Sequence, residues 1–253
     1  MEIVIGVPIN KKSGYILKEF LLNQEEIKKT SKFPTIIIFS TEDMDFCEIL
    51  ENHLVQTSLN YLILPFKIEK PEWARDRIWG LTQAREEIRK YCLNHNSPIL
   101  IFMDSDMIFD PQIVNKLVDK SHEGYDVVYN CYLLKSGRIT FNGFGGTLIK
   151  IKILKDVPFR CYETIKGSVV DEGFLFEMDL LKMNTKIFSG ILCESAHYIS
   201  ADFYLKMVPR SLSGLEKIKS LQIIRKFISH FSGNPRIMIL LAKMGYYLGK
   251  YVW

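Results

Sequence analysis

Two aspartates spaced two apart, Asp104 and Asp106, end an apolar run, Ile99-Leu100-Ile101-Phe102-Met103, in a chain of 253 residues. An unbroken apolar run without alternation reads as a strand buried on both faces, as in a parallel sheet. If the extended backbone continues past Met103, both carboxylates project to one side, because strand side chains alternate. Held close they repel, and burial raises the cost of ionising both. A divalent cation relieves that conflict, and hard cations take oxygen ligands. Ligands of open α/β sheets also gather at the carboxyl ends of strands, where this pair stands. The bland alternative is a strand running into a polar loop.

Four further groups are candidates to join the pair. Arg85 stands on the apolar stripe of a helix predicted over 72–94, with Leu81 and Ile88 on the same stripe. It either snorkels to water or meets an anion near the aspartates, since a guanidinium suits phosphate. Arg75 and Arg77 lie near the start of that helix. The segment Asn142-Gly143-Phe144-Gly145-Gly146-Thr147 either lets backbone approach a ligand closely or makes a loop or bulge. Asp171-Glu172 opens a predicted helix bearing Phe174, Leu175, Phe176 and Leu180, where acids also serve as caps. His197 lies in a predicted short strand, as a hydrogen-bonded core residue or a ligand.

The elements that must position these groups alternate strand and helix. Ile3–Pro8 is a first strand closed by Pro8. Ser13 is the expected cap of a helix carrying Ile16, Leu17, Phe20, Leu21 and Ile27. Thr35–Phe39 is a second strand, and Ser40 or Thr41 caps a helix bearing Phe46, Ile49, Leu50 and Leu54. Tyr61–Phe66, the 72–94 helix and the aspartate strand follow, then a short helix over Pro111–His122. Asp126–Leu133 alternates as a half-exposed strand would, Gly137-Arg138 marks a hairpin turn, and Lys186–Phe188 and Leu192–Tyr198 are short strands. This order predicts an α/β fold, a mainly parallel sheet flanked by helices and joined by right-handed crossovers.

Composition narrows the function classes. The chain is 47% hydrophobic and 25% charged, the balance of an ordinary folded protein. Five cysteines without a C-x-x-C pair argue against a disulfide framework or a zinc ribbon and suit a reducing cytosol. The chain opens directly into a strand pattern, so no secretory signal is expected, and no window offers about 20 uncharged apolar residues for a membrane span. The net charge of +4 is unevenly spread. From Met207 to Trp253 eight basic residues face a single acid, Glu216, leaving that tail at +7 and the rest at −3. The tail is too apolar for a solvated nucleic-acid arm. A phosphatase using D-x-D wants the pair after the first strand, and a nucleotidyltransferase wants a glycine-rich loop where Val7-Pro8-Ile9-Asn10-Lys11-Lys12 stands.

Over roughly residues 3–200 the order of these motifs resembles nucleotide-sugar glycosyltransferases of the GT-A fold, family 2-like. Ala84-Arg85-Glu86 stands for A-R-N, Asp104-Ser105-Asp106 for D-x-D, and Gly143–Lys150 for the glycine-rich strand near donor and acceptor. Asp171-Glu172 stands for the E-D-x-x-F helix start, reversed in order, and His197 for a late histidine that completes metal binding. The resemblance implies donor contacts from Pro8, Asp43, Arg85, Asp104, Asp106, Gly145 and Gly146, with Glu42 an alternative to Asp43. It implies Mg²⁺ or Mn²⁺ on Asp104, Asp106 and His197, and a base at Glu172 or Asp171. The expected reaction is transfer, inverting by analogy, from a nucleotide-diphosphate sugar to a glycan or lipid-linked acceptor. A binding protein on the same fold without catalysis is the alternative.

The expected domains are a catalytic unit over 1–206 and a helical appendage over 207–253. In the appendage, 215–231 carries one apolar face, and 236–253 is apolar or aromatic except Arg236, Lys243 and Lys250. Those three recur every seven residues and align in one stripe. Such a helix suits an anionic membrane interface; the alternatives are a C-terminal helical pair packed on the catalytic domain, or a dimer interface. The corresponding location is cytoplasmic, with a peripheral position on the inner membrane face as the membrane-bound alternative.

Overall fold

The computed structural model describes residues 2–207, apart from Arg138 and Asn184. Of the proposed helical appendage only Met207, the last residue of the final strand, is described; residues 208–253, with the basic stripe, lie outside these residues. Among the described residues, no helix is long and apolar enough to cross a membrane.

The elements run β1 (Ile3–Pro8), α1 (Leu17–Thr30), β2 (Thr35–Thr41), α2 (Met44–Leu54), β3 (Tyr61–Pro65), α3 (Ile78–Asn94), β4 (Ile99–Phe102) and β5 (Met107–Phe109). Then come α4 (Ile113–His122), β6 (Val127–Asn130), β7 (Tyr132–Leu133), β8 (Ile139–Thr140), β9 (Thr147–Lys150) and α5 (Ile151–Asp156). The described chain closes with β10 (Tyr162–Glu163), β11 (Val169–Val170), α6 (Glu172–Lys182), β12 (Ile187–Gly190), β13 (Ser195–Ser200) and β14 (Phe203–Met207).

Seven strands form the central sheet in the order β12-β6-β9-β4-β1-β2-β3. All neighbours pair parallel except β9, which runs antiparallel to β4 and β6. This is the mainly parallel α/β sheet expected from the strand–helix alternation. Its central strands bury every residue, β1 and β4 alike, as a sheet covered on both faces requires. On one face Ile5, Ile37 and Ile101 join Phe20 and Leu21 of α1 and Leu117 of α4. On the other, Val4, Ile38 and Leu100 join Ile88 and Cys92 of α3 and Phe176 and Leu180 of α6. Gly6 makes this second layer tight: a Cβ there would lie 2.7 Å from Ile88 Cγ2. The missing side chain lets α3 settle on β1, one turn from Arg85. A second sheet, β14-β13-β5, is antiparallel and ties the residues after the aspartates to the strand bearing His197.

Local contacts move several predicted boundaries. Helix α3 starts at Ile78, not at 72, because residues before it are held from outside. The Glu163 carboxylate accepts from Arg75 N–H (3.2 Å), Asp76 N–H (3.3 Å) and Trp79 Nε1–H (2.8 Å). Those backbone donors are thereby withdrawn from a helical turn. The expected caps also shift. Asn10, not Ser13, caps a 3₁₀ turn over Lys11–Ile16 that precedes α1, its Oδ1 accepting from Lys12 N–H at 3.0 Å. Asp43, rather than Ser40 or Thr41, caps α2 by accepting from Phe46 N–H at 3.1 Å. The stretch expected as one half-exposed strand over 126–133 is instead the fully buried β6 followed by the separate β7. Val128 packs among α4 side chains while Val127 and Tyr129 pack with Phe176 and Leu180, so both faces of β6 are covered.

Candidate active site

Strand β4 ends at Phe102, and the chain then turns, with Met107 N–H donating to the Asp104 carbonyl at 3.1 Å. The extended backbone therefore does not carry through the aspartates, and the two carboxylates take different partners. Asp104 Oδ1 accepts from Arg85 Nη2 at 3.1 Å and Oδ2 from the Tyr132 hydroxyl at 3.2 Å. Asp106 Oδ2 lies 2.6 Å from Lys135 Nζ, and its Oδ1 lies 3.4 Å from His197 Nε2. The expected repulsion between neighbouring carboxylates is thus met by separate cationic partners.

Unlike Leu81 of the same stripe, which is exposed, Arg85 is buried rather than snorkelling to water. Its anions are protein carboxylates: Nη1 pairs with Glu172 and Nη2 with Asp104. The guanidinium also lies 4.7 Å from the ring centroid of Phe144. Phe144 belongs to a cluster with Phe102, Phe159 and Phe176, all edge-on except the stacked Phe159–Phe176 pair. That cluster joins the end of β4 and the glycine segment to α6 and so sets the depth of the ion pair.

At the start of α6 the two acids do different work. Asp171 is exposed and is the N-cap, with Oδ1 accepting from Phe174 N–H at 2.8 Å. Glu172 is buried against Arg85 and receives the Thr82 hydroxyl at 3.3 Å. Burial pushes the Glu172 carboxyl above its ordinary range, with Arg85 pulling the other way.

His197 sits opposite Asp106, its Nδ1 2.8 Å from the Leu133 carbonyl. A carbonyl oxygen only accepts, so Nδ1 carries the proton. In the neutral ring the Nε2 lone pair then faces the Asp106 carboxylate, and two electron-rich atoms confront each other unless a proton or a cation lies between. Burial opposes charge on this imidazole, but Asp106 prevails and raises its pKa. Burial likewise works to raise Asp106, and His197 and Lys135 prevail in holding it below the usual carboxylate range. A histidine that donates to a backbone carbonyl through one nitrogen and presents the other is the usual arrangement of a metal ligand. The Asp106–His197 pair therefore fits a divalent cation. Asp104, with both oxygens engaged by Arg85 and Tyr132, fits less directly. Among the described residues no cluster of three or more acidic, histidine or cysteine ligands forms, so a cation here would complete its shell from substrate or water.

Pro8, Asp43, Arg85, Asp104, Asp106, Asp171, Glu172 and His197 all line one cleft of about 2130 Å³ at the carboxyl ends of β1, β2 and β4. Glu42, Arg75 and Arg77 line it as well. Gly145 and Gly146, expected beside the donor, are buried behind it, while Gly143 and Phe144 reach its wall. A Cβ on Gly145 would lie 2.5 Å from Met107 Sδ and 2.8 Å from Asp104 Oδ2, so this glycine makes room for the aspartate turn rather than for a ligand. Sequence reasoning missed Tyr132, Lys135 and Thr82. The hairpin turn at Gly137 was the available signal for the first two, but only the folded chain brings that hairpin over the aspartates.

At the level of sequence, no protein-family model and no curated protein matches this chain. Solved structures do. Residues 1–349 of TarS from S. aureus give a TM-score of 0.51 at 14% identity, over 76% of this chain and 59% of that one. The same fragment in complex with UDP gives 0.50 at 15% identity over the same shares. Glucosyl-3-phosphoglycerate synthase from Mycobacterium tuberculosis, in complex with Mg²⁺ and UDP, gives 0.50 at 16% identity, over 78% of this chain and 71% of that one. The chain thus spans about three fifths of the TarS fragment. These likenesses identify the fold as GT-A, a mixed, mainly parallel sheet flanked by helices.

Proposed function

We propose that this GT-A chain is a glycosyltransferase moving a sugar from a nucleotide-diphosphate donor to a hydroxyl of a glycan or lipid-linked acceptor, with Mg²⁺ or Mn²⁺ at Asp106 and His197. The observation that carries the reading is the convergence of Asp104, Asp106, Asp171, Glu172, Arg85 and His197 on one cleft at the carboxyl ends of the central strands. UDP in two solved structures of this fold, and Mg²⁺ in one of them, supports it.

Asp106 and His197 would hold the ion, and the Leu133 carbonyl keeps the imidazole turned toward it. When bound, such an ion supplies positive charge against a departing diphosphate. Asp104, tethered by Arg85 and Tyr132, is left to meet ribose or the ion's shell. We assign the base to Asp171: its carboxylate is exposed at the cleft, and capping uses one oxygen and leaves the other free. It takes the proton of the acceptor hydroxyl as that oxygen attacks the anomeric carbon and the bond to the diphosphate breaks. Attack opposite the leaving group inverts the centre. Glu172, buried against Arg85, acts by positioning.

A thermal-shift screen of UDP- and GDP-sugars with and without Mn²⁺ tests the reading. One donor should raise the melting temperature with the ion and fail to do so in EDTA or in Asp106→Ala. Donor stabilisation undiminished in both would overturn the metal assignment. The enclosure of Glu172 by Arg85 favours one second reading, a donor-binding protein that does not transfer. Release of nucleotide from the stabilising donor excludes it.

A further inference from the structure

One hairpin touches every side chain assigned to the ion. Tyr132 on β7 donates to Asp104, the Leu133 carbonyl receives His197, and Lys135 in the turn toward β8 contacts Asp106. The root and the tip of this hairpin are held differently. Tyr132 is buried, and the His197 contact is half enclosed. Lys135, by contrast, has a side chain 43% exposed, its ammonium resting on Asp106 Oδ2 at 2.6 Å and on the Tyr15 hydroxyl at 3.2 Å.

An ammonium and a dication on one carboxylate would set three positive charges around a single negative one. Asp106 is only 21% exposed, so water screens that repulsion poorly. One of the two cations must therefore yield. The long, flexible lysine stem can swing its head into water at small cost. The other cation of the site cannot: the Arg85 side chain is 5% exposed and holds Glu172 as well as Asp104.

We propose that Lys135 is a removable counter-cation, resting on Asp106 in the ion-free protein and displaced when Mn²⁺ or Mg²⁺ binds, so that ion binding frees the hairpin tip at the cleft mouth. The proposal rests on the assignment of the ion to Asp106 and His197. It makes Lys135 a determinant of ion affinity that competes with the ion.

Calorimetric titration of the full chain with MnCl₂ alone, without donor, tests it. Lys135→Met should bind Mn²⁺ about two- to fivefold more tightly than the wild type, the upper part of the range for an ion pair with a partly exposed lysine. Lys135→Arg, which keeps the charge, should stay near the wild-type affinity. In the wild type, acetylation of Lys135 followed by mass spectrometry should accelerate when Mn²⁺ is added. Acetylation of Lys116, paired with Asp110 at 2.7 Å outside the cleft, should not change. Equal or weaker Mn²⁺ binding by Lys135→Met, or Lys135 acetylation unmoved by saturating Mn²⁺, overturns the proposal alone. Absence of Mn²⁺ binding in the wild type and Lys135→Met alike overturns the ion assignment and the proposal with it.

Discussion

Arg85 of α3 and Glu172 of α6, 87 residues apart in the chain, form a buried ion pair in the wall of the cleft. Each would otherwise be an uncompensated charge in a low-dielectric layer, so losing one partner costs more than losing both. Arg85→Met should destabilise the fold by about 3–5 kcal/mol in urea denaturation. Arg85→Met combined with Glu172→Met should recover a good part of that loss, the remainder reflecting Asp104, which also leans on Arg85. Strict additivity of the two single variants would remove the pair from any account of stability.

The two acids at the head of α6 can be separated by one substitution each. Asparagine caps helices as well as aspartate does. Asp171→Asn therefore removes a charge and a proton acceptor while keeping the bond to Phe174 N–H. Transfer should fall by about 10²–10⁴ with the melting temperature nearly unchanged. Glu172→Gln should lower the melting temperature, because Arg85 then keeps a buried charge with only Asp104 against it. An active Asp171→Asn beside a stable, inactive Glu172→Gln would move the base to Glu172.

What the sequence made legible here is what local pattern encodes. The apolar run Ile99–Met103 marks a doubly buried strand, and helical period puts Arg85 in line with the buried Ile88. Period did not decide whether the guanidinium snorkels, and Leu81 of the same stripe is exposed. The partners of these groups were not legible. For Arg85 the alternatives are water or an anion near the aspartates; it pairs with Glu172 as well as Asp104, and nothing local reveals that α6 delivers a carboxylate to α3. The early start of α3 failed for the same reason, since Glu163 takes up backbone donors from a distant hairpin. Tyr132 and Lys135 were hidden because their role depends on where the hairpin folds back, a tertiary fact.

The Asp106–His197 contact predicts a stability window in pH for the ion-free protein. A raised imidazole pKa stabilises the fold fully below the unfolded value of about 6.5, and the gain fades as pH rises through the folded value. A lowered carboxyl pKa stabilises above the unfolded value of about 3.9 and loses its effect as pH falls through the folded one. His197 is shifted up and Asp106 down, so the contact contributes most between about pH 4 and 6.5. In EDTA, the melting temperature of the wild type minus that of Asp106→Asn should peak in that window and decline toward pH 8. The Lys135 pair should leave a remainder. A difference that grows steadily above pH 7 would contradict the assignment of charge to His197.

Gly145 offers a test of how tightly the glycine segment and the aspartate turn are matched. Its position is buried, and an added Cβ would press on Met107 Sδ at 2.5 Å, Asp104 Oδ2 at 2.8 Å and Tyr132 Cζ at 3.0 Å. Methionine can bend away, but Asp104 is tethered on one side by Arg85 and on the other by Tyr132. Gly145→Ala should therefore cost about 1–3 kcal/mol, the range for overfilling a packed interior, and should weaken donor binding by displacing Asp104. Gly14→Ala is the control, because nothing lies within 4 Å of a Cβ there. If Gly145→Ala loses stability yet binds donor with unchanged affinity, the strain is absorbed by Met107, and Asp104 takes no part in holding the donor.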